Sequence, residues 1–119
     1  MKKAYYARPI SIDNTPQEKR DHDTIIAFGF EPWPIGEEKK PILDEYRKVG
    51  MVAFRPAVLS SDAFFFRAFP DGSIGAGVYT EILWAREAGI PIIEFPRSID
   101  RRAISVDATR DMLAELGQR

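Results

Sequence analysis

The chain has 119 residues, 45% of them hydrophobic and 29% charged, with no cysteine and a single histidine. That is the size of one domain around one core, so residues 1–119 are expected to form a single unit without disulfide or metal staples. Missing thiols exclude a disulfide scaffold, a thiolate metal site and a cysteine nucleophile, one histidine argues against a zinc site or a His-paired triad, and the net charge of -1 gives no general attraction to a nucleic-acid polymer or an anionic membrane.

Lys3 to Arg8 carry two adjacent tyrosines and stop at Pro9, which suits a short opening strand followed by a loop. No apolar targeting core follows the N-terminus, and no stretch approaches the roughly eighteen apolar residues of a membrane span. The expectation is a soluble, cytoplasmic protein. Thr15-Pro16-Gln17-Glu18 combines an N-cap, a first-turn proline and an acid at the third position, so a helix starts there and ends near Gly29. Its first turns are polar, which places it at the surface with His22 solvated. Phe30-Glu31-Pro32-Trp33-Pro34 reads as an edge strand or a loop, because two prolines remove ladder donors.

From Pro41, the spacing of Ile42, Leu43, Tyr46 and Val49 predicts a second helix stopped by Gly50. Met51 to Leu59 is apolar but broken by Pro56, and suits a helical turn or a loop packed on the core. Ala63-Phe64-Phe65-Phe66 is the continuous apolar run of a strand covered on both faces, so these phenylalanines belong to the core. A glycine-rich loop, Phe69 to Gly77, precedes a helix from Val78 to Gly89, and Pro91 to Phe95 returns as a strand. A last helix is expected from Val106 to Leu116. The alternation gives an α/β fold, a small three-layer sandwich with a mainly parallel, Rossmann-like sheet.

Ligands of such sheets bind beyond the carboxyl ends of the strands. Two loops qualify: Ala7-Arg8-Pro9-Ile10, and Asp71 to Gly77, where Gly72, Ser73, Gly75 and Gly77 let backbone N–H groups approach an anion or sugar, unless the loop is only a tight connection. Glu81 follows in the next helix. A carboxylate near the positive end of the helix dipole is favoured as the ion, which suits a nucleophile and equally an ordinary exposed first-turn acid. Tyr79 and Trp84 suit either base stacking or burial, and Arg97, Arg101 and Arg102 form a modest basic cluster that suits a solvated loop or a neighbouring subunit's phosphate.

These segments, Tyr5-Tyr6-Ala7-Arg8-Pro9-Ile10, Ser61-Asp62-Ala63-Phe64-Phe65-Phe66, Ser73-Ile74-Gly75-Ala76-Gly77 with Glu81, and Gly89-Ile90-Pro91-Ile92-Ile93, resemble in order and spacing the nucleoside 2-deoxyribosyltransferase superfamily, which includes the 2'-deoxynucleoside 5'-monophosphate N-glycosidases. The resemblance implies that Glu81 is a nucleophile forming a glycosyl ester and that Tyr5 assists it. It further implies that Ser73 and its glycines contact a phosphate, and that no cofactor or metal is needed. It also implies a homo-oligomer, dimer or higher, with a small nucleoside or nucleotide as its ligand. Val78, Tyr79 and Thr80 separate the loop from Glu81 where the family has one or two residues, and Leu83 replaces a glycine. The family's second acid has no match near Phe54-Arg55-Pro56-Ala57, so either Asp71 substitutes from the loop or protonation of the leaving group is lost, and Arg8 replaces a glycine, as an added phosphate contact or a block to the sugar pocket. Asp62 reads as a strand-entry cap. The function expected is N-glycosidic cleavage or transfer, as a hydrolase or transferase; the alternative is a nucleotide-binding module without turnover.

Overall fold

The first strand, β1 (Lys2–Ala7), buries side chains on both of its faces, which requires neighbours on both edges and layers above and below. The computed structural model, describing residues 2–96 together with Val106 and Arg110, supplies both. After β1 come α1 (Pro16–Ala27), β2 (Phe30–Trp33), α2 (Lys39–Val49), α3 (Arg55–Leu59), β3 (Ala63–Phe66), α4 (Ala76–Glu87) and β4 (Ile92–Glu94), with 3-10 turns at Ile10–Ile12, Gly36–Glu38 and Gly50–Phe54. The strands form one sheet in the order β2-β1-β3-β4, every pair parallel. Tyr5 is in register with Trp33 on one side and Phe64 on the other. The chain moves from β1 toward β2 but from β3 toward β4, so the order reverses between β1 and β3, where open α/β sheets hold ligands.

Two cores follow from strand alternation. On one face Tyr5, Ala7, Phe64 and Phe66 pack with Ala57 and Val58 of α3 and with Val78, Ile82 and Ala85 of α4. On the other, Ala4, Tyr6, Ala63 and Phe65 pack with Ile12, Ile25 of α1 and Phe95. This is the three-layer α/β sandwich, with the Phe-rich run fully inside as expected.

Local chemistry sets the element ends. Thr15 caps α1 by accepting the Glu18 backbone N–H (3.4 Å), while the Glu18 carboxylate reaches the N–H of Asn14 rather than that of Thr15. Gly29 and Gly89 take positive φ after α1 and α4, conformations that a Cβ disfavours. Phe30–Trp33 is a strand, held at the sheet edge, where one bonded side is enough and Pro32 is tolerated. Helix α2 begins at Lys39, ahead of Pro41. Asp62 ties the start of β3 to β1: its carboxylate accepts the Lys3 N–H, and its own N–H donates to the Lys3 carbonyl, both at 2.8 Å. The helix expected from Val106 to Leu116, except Val106 and Arg110, and the Arg97, Arg101 and Arg102 cluster lie outside the described residues. Among the described residues no helix is long and apolar enough to cross a membrane.

Candidate functional site

A cavity of about 640 Å³ opens at the carboxyl ends of the strands, at the reversal between β1 and β3. Its size is that of a small-molecule site. The loop after β1 forms one wall, with Ala7, Arg8, Pro9 and Ile10; Gly75, Gly77, Val78 and Glu81 form the floor beside Tyr5. The third wall is apolar and comes from Leu43 and Tyr46 of α2 and from Met51 and Phe54 of the following turn.

Glu81 enters this cavity because of its helical phase. Val78, Glu81, Ile82 and Ala85 are the buried residues of α4, one stripe at i, i+3, i+4 and i+7, so the carboxylate occupies a core position in the second turn. Glu81 is 6% exposed and Tyr5 4%, and the Tyr5 hydroxyl donates to Glu81 Oε2 across 76 residues of sequence. Among the described residues nothing bonds the second carboxylate oxygen. Burial pushes the Glu81 carboxyl up to about 7, against the opposing pull of the Tyr5 hydroxyl and the Arg8 charge. The helix dipole alone would favour the ion, in an exposed first turn. Desolvation wins because the side chain lies one turn deeper and inside the core. Burial and the neighbouring Glu81 charge likewise hold the Tyr5 phenol well above its ordinary range, so it acts as a donor.

Arg8 lines the cavity from the loop after β1. Its Nη2 pairs with Asp13 at 2.8 Å and lies 3.6 Å from Glu18, while its Nε is buried with no acceptor. An unmade bond at a buried donor costs about 1–3 kcal/mol. Lys39, at the start of α2, lines the same cavity, and its pKa is lowered first by burial and then by the Arg8 charge, against the opposing charges of Asp13 and Glu18.

The glycine-rich loop divides into two parts. Gly75 and Gly77 line the cavity; at Gly77 a Cβ would stand 3.4 Å from Met51 Cε, within van der Waals contact of that wall. Asp71, Gly72 and Ser73 do not line it. They form a turn closed by backbone bonds between Phe69 and Ser73 (2.9 Å) and between Gly72 and Phe69 (2.8 Å), with Asp71 Oδ1 accepting both the N–H and the hydroxyl of Ser73. Tyr79 is 51% exposed and also outside the lining, whereas Trp84 packs on the α4-side core. The structure thus joins Tyr5, Glu81, Ala7, Arg8, Pro9, Ile10, Gly75 and Gly77, and leaves out Asp71, Gly72, Ser73 and Tyr79. Asp13, Lys39, Tyr46 and Met51 are cavity residues that the sequence reading missed.

A second polar cluster lies across the sheet. Asp21 of α1, 2% exposed, accepts two bonds from Arg67 (Nε and Nη2, each 2.6 Å), one from Gln17 (2.8 Å) and one from the Tyr6 hydroxyl. Arg67 Nη1 also donates to the Pro96 carbonyl at 2.7 Å. Every charge here is paired, so the cluster ties β1, α1 and the chain after β4 together. His22 sits edge-on to the Tyr6 ring, 5.3 Å between centroids, and burial lowers its pKa; it is packed rather than solvated. Among the described residues no group of acids and histidine could hold a metal ion. Compared with known proteins, the chain matches no family model, no curated protein and no solved structure.

Proposed function

We propose that the protein cleaves or transfers the N-glycosidic bond of a nucleoside or nucleotide, with Glu81 as nucleophile. The observation that carries this reading is the buried Tyr5–Glu81 pair facing a cavity of about 640 Å³. The Tyr5 hydroxyl fixes one carboxylate oxygen and leaves the other for the sugar. Attack of that oxygen on C1′ forms a glycosyl ester as the C1′–N bond breaks, its electron pair leaves with the base, and the base takes a proton from solvent. Water, or a second base, then attacks C1′, the C1′–O bond to Glu81 breaks with its electron pair returning to the carboxylate, and the proton of the attacking group passes to solvent. An anion beneath the sugar also stabilises the oxocarbenium-like transition state. The apolar wall of Leu43, Tyr46, Met51 and Phe54 suits a flat base. Association of copies belongs to this reading, and the exposed Val49 and Val52, outside the cavity, support it.

A second reading, binding without turnover, is favoured by the acids of the lining. Besides Glu81 they include Asp13, whose Oδ1 is already engaged by Arg8 Nη2 at 2.8 Å, so neither is committed to protonating a leaving base. One assay separates the two. Wild-type protein incubated with deoxynucleosides and their 5'-monophosphates is expected to release free base, and Glu81→Gln to lose at least a hundredfold in rate. Equal release from both proteins overturns the mechanism, and saturable binding with no release establishes the second reading.

A further inference from the structure

The cavity holds two cationic groups whose bonding is incomplete. Arg8 engages Asp13 and Glu18 through Nη2, and its Nη1 lies 3.5 Å from the Tyr6 carbonyl, but Nε is buried without an acceptor. Lys39, half-buried at the start of α2, lines the same cavity, and among the described residues no carboxylate lies within ion-pair distance of its ammonium. Arg8, Lys39 and Glu81 all line this one cavity, and the Arg8 charge acts on both of the others. Asp13, the acid closest to Arg8, has a side chain 39% exposed and can turn to solvent when a stronger acceptor arrives.

We propose that Arg8 and Lys39 form an oxyanion subsite that takes the phosphate group of a phosphorylated ligand. This rests on reading the cavity as the ligand site, and it places the phosphate on the β1-loop and α2 side. The Ser73 turn, where the family resemblance would put it, is outside the cavity and already bonded to Asp71. An oxyanion between the two cations supplies acceptors to both, and charge-assisted bonds of this kind are the strong ones. A sugar joined to that phosphate extends toward Glu81.

The test is calorimetric binding of inorganic phosphate to wild-type protein, and of a deoxynucleoside and its 5'-monophosphate to Glu81→Gln, which removes turnover from the measurement. Inorganic phosphate is expected to bind saturably to wild type, and the monophosphate at least tenfold more tightly than the nucleoside. Lys39→Gln is expected to abolish most of both effects, Arg8→Lys part of them, and Ser73→Ala none. Circular dichroism checks that each variant is folded. The proposal is overturned if phosphate does not bind, if nucleoside and monophosphate bind alike, or if Ser73→Ala rather than Lys39→Gln removes the difference. Lys39-dependent phosphate binding without release of base from any substrate keeps the subsite and defeats the glycosidase reading; turnover of nucleosides with no phosphate effect does the reverse.

Discussion

The ring of Tyr5 lies parallel to that of Phe64, with 5.5 Å between centroids and 5° between planes, on strands paired in register at these two residues. This stack fixes the phenol from its carbon side, so the hydroxyl meets Glu81 without a search over rotamers. Positioning of this kind, by a packed ring on a central strand, holds a site more tightly than a loop can.

Removing only that hydroxyl tests the pair. Tyr5→Phe keeps the stack, takes away a bond that lowers the Glu81 pKa, and is expected to move the acid limb of the activity–pH profile upward from about 7. Stability should fall by about 1 kcal/mol. A pH–rate profile superimposable on that of the wild type would show that the hydroxyl does not act on Glu81.

Stability itself should report on the buried acid. Because burial raises the folded-state pKa of Glu81 from 4.5 to about 7, the folded chain holds this proton more tightly than the unfolded one. The group's contribution is therefore fully present below about 4.5 and is lost as pH rises to about 7, an interval worth on the order of 3 kcal/mol at most. Glu81→Gln removes the titration and keeps an acceptor for Tyr5. Urea unfolding should find the variant more stable than wild type at pH 8, with the difference shrinking toward pH 4.5; a difference independent of pH would mean that Glu81 is not the titrating group.

The cluster on the other face is expected to behave as a unit. Asp21→Asn leaves the 8%-exposed Arg67 without its counter-charge and should cost about 3–5 kcal/mol in chemical denaturation. Replacing both members by Asp21→Leu and Arg67→Met should cost clearly less than the two single changes added together. Strict additivity would count against a coupled pair.

Much of the fold was legible because local signals and global topology agree. The four-residue run Ala63–Phe66 is too short and too uniformly apolar for anything but an inner strand, and Thr15 and Gly29 mark the ends of α1 by capping chemistry alone. The edge strand at Phe30–Trp33 was half hidden, since a proline's meaning depends on whether a second neighbour exists. Glu81 was found as a candidate but placed in the wrong surroundings. The clue was present, for an acid at the i+3 position of the Val78, Ile82, Ala85 stripe must be buried if the stripe is. Asp13 and Lys39 had no such clue: they come to line one cavity with Glu81 only because the loop after β1 and the start of α2 are brought to the same end of the sheet. Asp21 looked like one more charge on a polar helix, and its partner Arg67 follows β3, far along the chain.

Adjacent tyrosines look in opposite directions from β1, one toward the cavity and the other toward α1. Their order is consequently a matter of phase: gaining or losing one residue between the start of the strand and Tyr5 would exchange the two phenols and strand both acids at once. Length variation within this protein's lineage should therefore spare the opening strand and collect in the turns, where no such parity has to be kept.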